Sequence, residues 1–319
     1  MADNWREITE EEEADIERHV TRVVRRVGSA RIEIEDILRD LELAELNRQK
    51  QRAAIRKINA VLDRLDADLR VEAEDIPAQT FEHGRALALL AFGIAAAAGL
   101  SAGASALAEG ASVASISDVG TETVGAAKRK LRSDRGMNNE QRALLANARE
   151  TLTEDLLAAT QNTRRHVKRE IRRAAARTIR EGEAGQQGAR AQIRDLRWRL
   201  GASANLAITD RGGNTWKLND YVEMAVRTKS AEMQVEGERT EALREGVQYG
   251  VVSTHVGACE KCVPWQGRIL ALTSDAPGDF STIEESKNGG LWHPSCAHSL
   301  TMLPTFDLLP KRLRDKNGV

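Results

Sequence analysis

Residues 249–273, YGVVSTHVGACEKCVPWQGRILALT, and residues 289–306, GGLWHPSCAHSLTMLPTF, decide how the rest of this 319-residue chain is read. All three cysteines lie there (Cys259, Cys262, Cys296), with three of the six histidines (His255, His293, His298). The ligand-capable side chains form two knuckles, C-x-x-C and H-P-x-C-x-H. Two thiolates two residues apart reach one tetrahedral ion from a tight turn, and a second turn supplies the other ligands. Sulfur with imidazole suits zinc, a metal held without redox chemistry. The spacing points to Cys259, Cys262, His293 and Cys296 as the four ligands, with His298 as the substitute. The plain alternative is three reduced cysteines clustered without a metal. A disulfide is disfavoured, because the count is odd and the first residues do not read as a secretory signal.

Three β-like runs frame the knuckles: Gly250–Thr254, Arg268–Thr273 and Leu300–Leu303. That layout is a small zinc-stapled sheet. Catalytic zinc motifs are missing. A nucleobase deaminase needs H-x-E ahead of P-C-x-x-C, whereas Val256 and Gly257 follow His255. H-E-x-x-H is absent as well. Four protein ligands close the coordination sphere, so the zinc reads as structural. There is no G-x-S-x-G and no P-loop, and a zinc hydrolase would lack a general base at workable spacing. The chain is not expected to be an enzyme.

Upstream, the composition is that of helices. Aromatic residues make up 3% of the chain and charged residues 30%. So little large apolar surface favours long helices with narrow apolar stripes over a compact enzyme core. The expected fold class is mainly α, long helices followed by a small C-terminal α+β module. The expected divisions are a helical arm over 1–75, a second helical region over 76–188, and a C-terminal domain over 189–319. The net charge of −1 is silent on nucleic acid, which leaves only local patches.

Thr9 is positioned to cap a first helix over 6–27, with acids in its first turn, and Gly28–Ser29 to end it. From Ile34 to Leu69 a heptad runs through Ile34, Leu41, Ile55, Leu62 and Leu69 at one position and Ile37, Ala44, Ile58 and Leu65 at the other. Arg48 and Gln51 interrupt it. It predicts a long helix paired with another, within the chain or in a homo-oligomer. Ile76-Pro77 marks a new helix start. Ala86–Ala108 carries no charge and is long enough for a membrane span. Its Ala, Gly and Ser content instead suits a buried or subunit-facing helix, so no membrane association is expected. Residues 109–136 read as loop, 138–179 as helix, 182–188 as linker, 189–207 as helix and 210–213 as a turn. A further helix, capped by Asn219 or Asp220, runs to about Glu245 and ends at Gly246. The later part of the 138–179 helix carries Arg164, Arg165, Lys168, Arg169, Arg172, Arg173, Arg177 and Arg180. Such a stripe can neutralise phosphates or simply be a solvated face, and no aromatics interleave for base stacking. His19, His83 and His166 stand singly on helical stretches as surface or packing residues.

The runs S-T-H-V-G-A, W-Q-G-R and H-P-S-C-A-H-S resemble the C-terminal signature of tailed-phage minor capsid proteins, the minor-capsid-protein-2 group and the head-morphogenesis proteins similar to the phage Mu F protein. The matching positions are Ser253, Thr254, His255, Gly257, Ala258, Trp265, Gln266, Gly267, Cys296, His298 and Ser299, and Asn214–Thr228 resembles the segment preceding the signature. The likeness is clear over about 200–306 and weak over Ile76–Ile94. It implies a structural virion protein, made in the host cytoplasm, that acts in head assembly and DNA packaging at or near the portal. The implied partners are the portal or major capsid protein; the basic stripe itself, through Arg164, Arg165, Arg169, Arg172 and Arg173, is the candidate contact for packaged DNA. The competing reading is a zinc-ribbon nucleic-acid-binding protein or nuclease. A nuclease needs a helix after its second knuckle, and SLTMLPTF reads as strand.

Overall fold

The computed structural model describes residues 2–41, 47–97, 127–128, 131, 136–181, 206–209, 215–294, 296 and 298–319. Among the described residues four long helices dominate: α1 (Ala2–Arg39), α2 (Arg48–Ala97), α3 (Asn139–Glu181) and α4 (Leu218–Arg244). Strands β1 (Leu206–Thr209) and β2 (Thr215–Lys217) pair antiparallel. After α4 come β3 (Tyr249–Val252), β4 (Ile269–Ala271), the short helix α5 (Ile283–Asn288), β5 (Leu300–Met302) and α6 (Lys311–Asn317). The three later strands form one antiparallel sheet in the order β4-β3-β5. The protein is mainly helical with a small C-terminal strand region, and its three sheet strands fall on the three runs read from sequence.

Local punctuation was weaker than burial in the helices. α1 begins at Ala2, so Thr9 lies within the helix and not at its start. It also runs unbroken through Gly28–Ser29. A glycine inside a helix costs about 1 kcal/mol relative to alanine, while Val23, Val27 and Ile34 around it are completely buried. Ser29 turns its hydroxyl onto the Arg25 carbonyl one turn back, which satisfies it within the helix. The heptad is not one helix. α1 stops at Arg39, and Asn47 caps α2, its side-chain oxygen accepting the N–H groups of Gln49 and Lys50 at 2.9 Å. Arg48 and Gln51, which break the heptad phase, are the first turn of that new helix; Ala44 lies outside the described residues. Pro77 starts nothing, because α2 continues through it. Loss of a helical hydrogen bond at an interior proline costs roughly 3 kcal/mol, against which Ile76, Phe81, Leu87 and Leu89 are all buried nearby.

The uncharged segment is a buried helix as far as Phe92, since Ala86, Leu87, Ala88, Leu89, Ala91 and Phe92 are inaccessible; residues 98–108 lie outside the described residues. No helix among the described residues is long and apolar enough to cross a membrane. In the expected loop over 109–136, Ala127, Lys128 and Leu131 are helical. The linker at 182–188 and the turn at 210–213 are outside the described residues. So is the helix at 189–207 up to 205, and its last two positions open β1.

The chain forms two compact units. One comprises Val20–Glu74 and Arg149–Val226. Here Arg22 and Arg26 grip Glu72, Arg26 also meets Asp68, and Arg64 meets Glu33. As the α1 position advances, its α2 partner retreats, so the two helices are antiparallel. Arg149 with Glu74, and Arg164 with Asp63 and Asp66, set α3 antiparallel to α2 in the same way. Between these charged rims the heptad residues Ile34, Leu62, Leu65 and Leu69 are buried with Leu152, Leu156 and Ile171, whereas Ile37 and Ile55 are half-buried.

The other unit comprises Met1–His19, Asp75–Ala148 and Arg227–Val319. In it, α2 and α4 cross with backbones in contact at two glycines: a Cβ at Gly84 would overlap the Gln234 carbonyl, and one at Gly237 would overlap that of Phe81. Beside the crossing, Arg85 and Glu241 form a buried ion pair at 2.9 Å. His19 and His83 flank the buried Asp15, so both are packing residues. Gly246 ends α4 with φ 76°, where only glycine is unstrained, and Val247 N–H closes back onto the Ala242 carbonyl. The sheet that follows has two apolar faces. Val252, Leu270, Leu300 and Met302 join the core that includes Phe92 and Val235. The alternate residues Tyr249, Val251 and Ile269 pack with Leu303, Leu308 and Leu309. At the outer side of β4, Asn317 of α6 accepts the Ile269 N–H at 2.9 Å and donates to the Gly267 carbonyl at 2.8 Å.

Candidate metal centre

Both knuckles hang from the sheet. The first leaves β3 and returns to β4, closed where Gly267 N–H donates to the Val252 carbonyl and Val252 N–H to the Arg268 carbonyl. Within it, Cys262 and Val263 both donate their N–H to the Cys259 carbonyl, and Pro264 sits in the 3₁₀ turn Val263–Trp265 that follows. This tight turn is what holds Cys259 and Cys262 on one side. The second knuckle enters β5. Its Cys296 N–H donates to the His293 carbonyl, and Trp292 Nε1 donates to the His298 carbonyl at 2.8 Å. Trp292 has φ 55°, alone among non-glycine residues described, so the backbone just before His293 is strained.

All five sequence-predicted donors come together. Cys259, Cys262 and His293 form one group of three and Cys262, Cys296 and His298 another, with the ligand atoms of each group within 4.8 Å of one another. Cys259 Sγ lies 3.1 Å from His293 Nε2, Cys262 Sγ 3.6 Å from Cys296 Sγ, and Cys296 Sγ 3.4 Å from His298 Nδ1. Cys262, Cys296 and His298 are buried, Cys259 is exposed and His293 half-buried.

The electrostatics differ along this row. The Cys259 thiol falls to about 7, chiefly through the Cys262 backbone N–H, helped by the Cys262 side chain, the Lys261 backbone and His293. Burial, with the neighbouring thiols of Cys259 and Cys296, pushes Cys262 up to about 12. Burial, with His255 and His293 nearby, lowers His298 to about 4 and keeps its imidazole neutral. Neutral imidazole is a ligand form, and a bound cation is what would turn Cys262 into a thiolate. These residues therefore fit a soft metal ion.

The signature residues support the same corner. Gln266 Oε1 accepts the His255 N–H; the Ser253 hydroxyl accepts the Ser299 N–H at 3.0 Å and lies 2.8 Å from His255 Nε2; and the His255 ring meets His298 edge-on at 4.7 Å between centroids. Motif spacing named these residues but not their joint role in bracing the second knuckle. Nor does any local signal reveal the strained Trp292.

On α3, Arg165, Lys168, Arg169, Arg172 and Arg173 are exposed, while Val167, Ile171 and Ala174 face the core. Arg164 is turned inward to Asp63, Asp66 and Asn59. Arg173 pairs with Glu170, and Arg169 lies 3.0 Å from His166 Nδ1. His166 has its basicity lowered by burial and by Arg169 and Arg173.

No curated protein and no solved structure matches the chain. Residues 101–307 match the family described as Phage minor capsid protein 2. The match reaches upstream of the clear likeness at 200–306 and leaves out the weak one at 76–94. It contains both knuckles and covers more than half of the sequence, and the chain belongs to the phage minor capsid protein 2 family.

Proposed function

We propose that the protein is a structural component of a tailed-phage or prophage head, made in the host cytoplasm and built into the virion at or near the portal during assembly. Family membership over residues 101–307 carries this reading and speaks for a structural role over an enzymatic one. Residues 189–319 serve as the docking domain toward portal or major capsid protein, and one structural zinc on Cys259, Cys262, His293 and Cys296, with His298 beside them, holds that domain. What supports the zinc is the convergence of five donors from two distant knuckles. The exposed row from Arg165 to Arg173 is the candidate contact for packaged DNA. That row is also the one observation favouring the second reading, a zinc-ribbon DNA-binding protein. An amber mutation early in the reading frame tests the first reading. Purified wild-type virions should contain the chain by mass spectrometry, and the mutant should give absent or defective heads. Normal particles at normal titre without the protein would refute it.

A further inference from the structure

Five donors are one more than a tetrahedral ion takes, and the hydrogen bonds separate ligand from support. Resting on the zinc reading above, we propose that His293, through Nε2, completes the site with Cys259, Cys262 and Cys296, and that His298 donates an N–H to the Cys296 sulfur without touching the ion.

The His293 ring is already set for this. Its Nδ1 lies 2.8 Å from the Pro294 carbonyl. A carbonyl only accepts, so the proton sits on Nδ1 and the Nε2 lone pair faces the Cys259 sulfur. A ring nitrogen that donates to a backbone carbonyl while its partner binds metal is the usual outer-shell arrangement of histidine ligands. Cys296 shares one tetrahedral edge with this set: its 3.6 Å from Cys262 Sγ is close to the about 3.8 Å expected with 2.3 Å zinc–sulfur bonds, while Cys259, Cys262 and His293 group without it, so the second knuckle closes toward Cys259 when the ion binds.

His298 is placed differently. Were its Nδ1 a ligand, the proton would move to Nε2, which is buried and has no partner among the described residues. Nε2 lacks a partner in either tautomer, but the bare lone pair is the lesser cost, since orphaned buried N–H groups are the rarer case. With the proton on Nδ1 instead, the 3.4 Å contact to Cys296 becomes an N–H···S hydrogen bond. The ring is held for that role by His255 against its face and by Trp292 on its carbonyl. Cys259 and His293 form the accessible side of the cluster, which gives an ion its way in.

Cobalt(II) titration of the full chain, with His293→Ala, His298→Ala, His293→Cys and His298→Gln, tests the assignment. Wild type should bind one ion with the visible spectrum of a tetrahedral site. His293→Ala should lose that spectrum. His298→Ala should keep it, with affinity reduced by about 10- to 100-fold, the scale of an outer-shell loss, and His298→Gln should recover most of the affinity. His293→Cys, which retains a ligand should the alanine variant misfold, should bind with stronger sulfur-to-cobalt charge transfer. Loss of the tetrahedral spectrum in His298→Ala but not in His293→Ala overturns the assignment and leaves the zinc reading intact. Its survival in both variants does the same. A wild type that binds no cobalt or zinc overturns both.

Discussion

The helix ladder of residues 20–74 and 149–174 and the knuckles of residues 255–298 represent opposite ways of holding a chain together. In the ladder, a continuous buried stripe is flanked by many ion pairs whose arginines are half in solvent, Arg22 and Arg26 among them. Stability is spread over dozens of side chains, and exposed pairs each contribute little. In the knuckles, five donors and a few turns carry a segment whose Cys259 and neighbouring Val256 and Val263 lie exposed. With the proposed zinc in place there, the loss of one sulfur atom should count for more than the loss of a whole salt bridge in the ladder.

The sharpest way to break this contrast is Cys259→Ser. The side chain is exposed, so little packing is lost and the variant reports on ligation. Structural zinc contributes about 10–16 kcal/mol of apparent binding energy in finger peptides, an upper bound for a module packed on helices. Elemental analysis should show the zinc gone, and limited proteolysis should cut residues 249–306 while circular dichroism stays helical. Full protease resistance with no metal bound would remove the contrast altogether. Cys296→Ser should be worse, because its hydroxyl also enters an apolar core.

Acid should separate the two regimes. Thiolate and neutral imidazole are the binding forms, so protons compete with the ion, and zinc should be released as pH falls toward about 5. Carboxylate pairing should outlast that. On α1, in the knuckles' own unit just outside the ladder, burial alone would raise Asp15, but the hydrogen bonds with His19 and Arg18 and the fields of His83 and His19 more than reverse it and hold its carboxyl well below its ordinary 3.8. A depressed native value means that its contribution is present above the unfolded value and disappears only as pH falls through the native one. A chelator dye and far-ultraviolet dichroism followed together down a pH series should show zinc leaving before helix. Simultaneous loss would mean that the two regimes are one.

Within the ladder, Glu72→Ala removes the carboxylate shared by Arg22 and Arg26. Because both arginines reach water, the cost should be about 1–3 kcal/mol, read by thermal denaturation, with zinc content unchanged. The smallest effect belongs to the surface row: Arg169→Glu with Arg172→Glu should shift stability by no more than about 0.5 kcal/mol. If the row meets DNA, the slope of log affinity against log salt should fall by about 0.9 for each phosphate that the variant no longer neutralises. An unchanged slope would make the row a solvated face.

The knuckles were legible in the sequence because cysteine is scarce here and its spacing carries chemistry directly. Strand positions followed from the apolar runs on either side, whereas the order of the strands in the sheet did not. Helix boundaries were not, because Gly28 and Pro77 signal a break that burial of Val27, Ile34, Ile76 and Phe81 overrides. The Gly84–Gly237 crossing was invisible for another reason: neither glycine means anything until the other helix lies against it. Spacing already favoured His293 over His298 as a ligand, but the Pro294 carbonyl and the buried Nε2 that support the proposed assignment are encoded in no spacing.

The clasp of Asn317 on β4 bears on life in a crowded shell. A sheet margin with free N–H and C=O groups is a template for any passing extended segment, and a head under assembly brings many chains together at high local concentration. Asn317 occupies the Ile269 and Gly267 groups with its own amide, so that margin is answered from within the chain. A chain cut after Pro310 would keep its knuckles and its sheet yet uncover the Ile269 and Gly267 groups beside the Ala271–Ser281 bond, and should self-associate more readily than the intact chain.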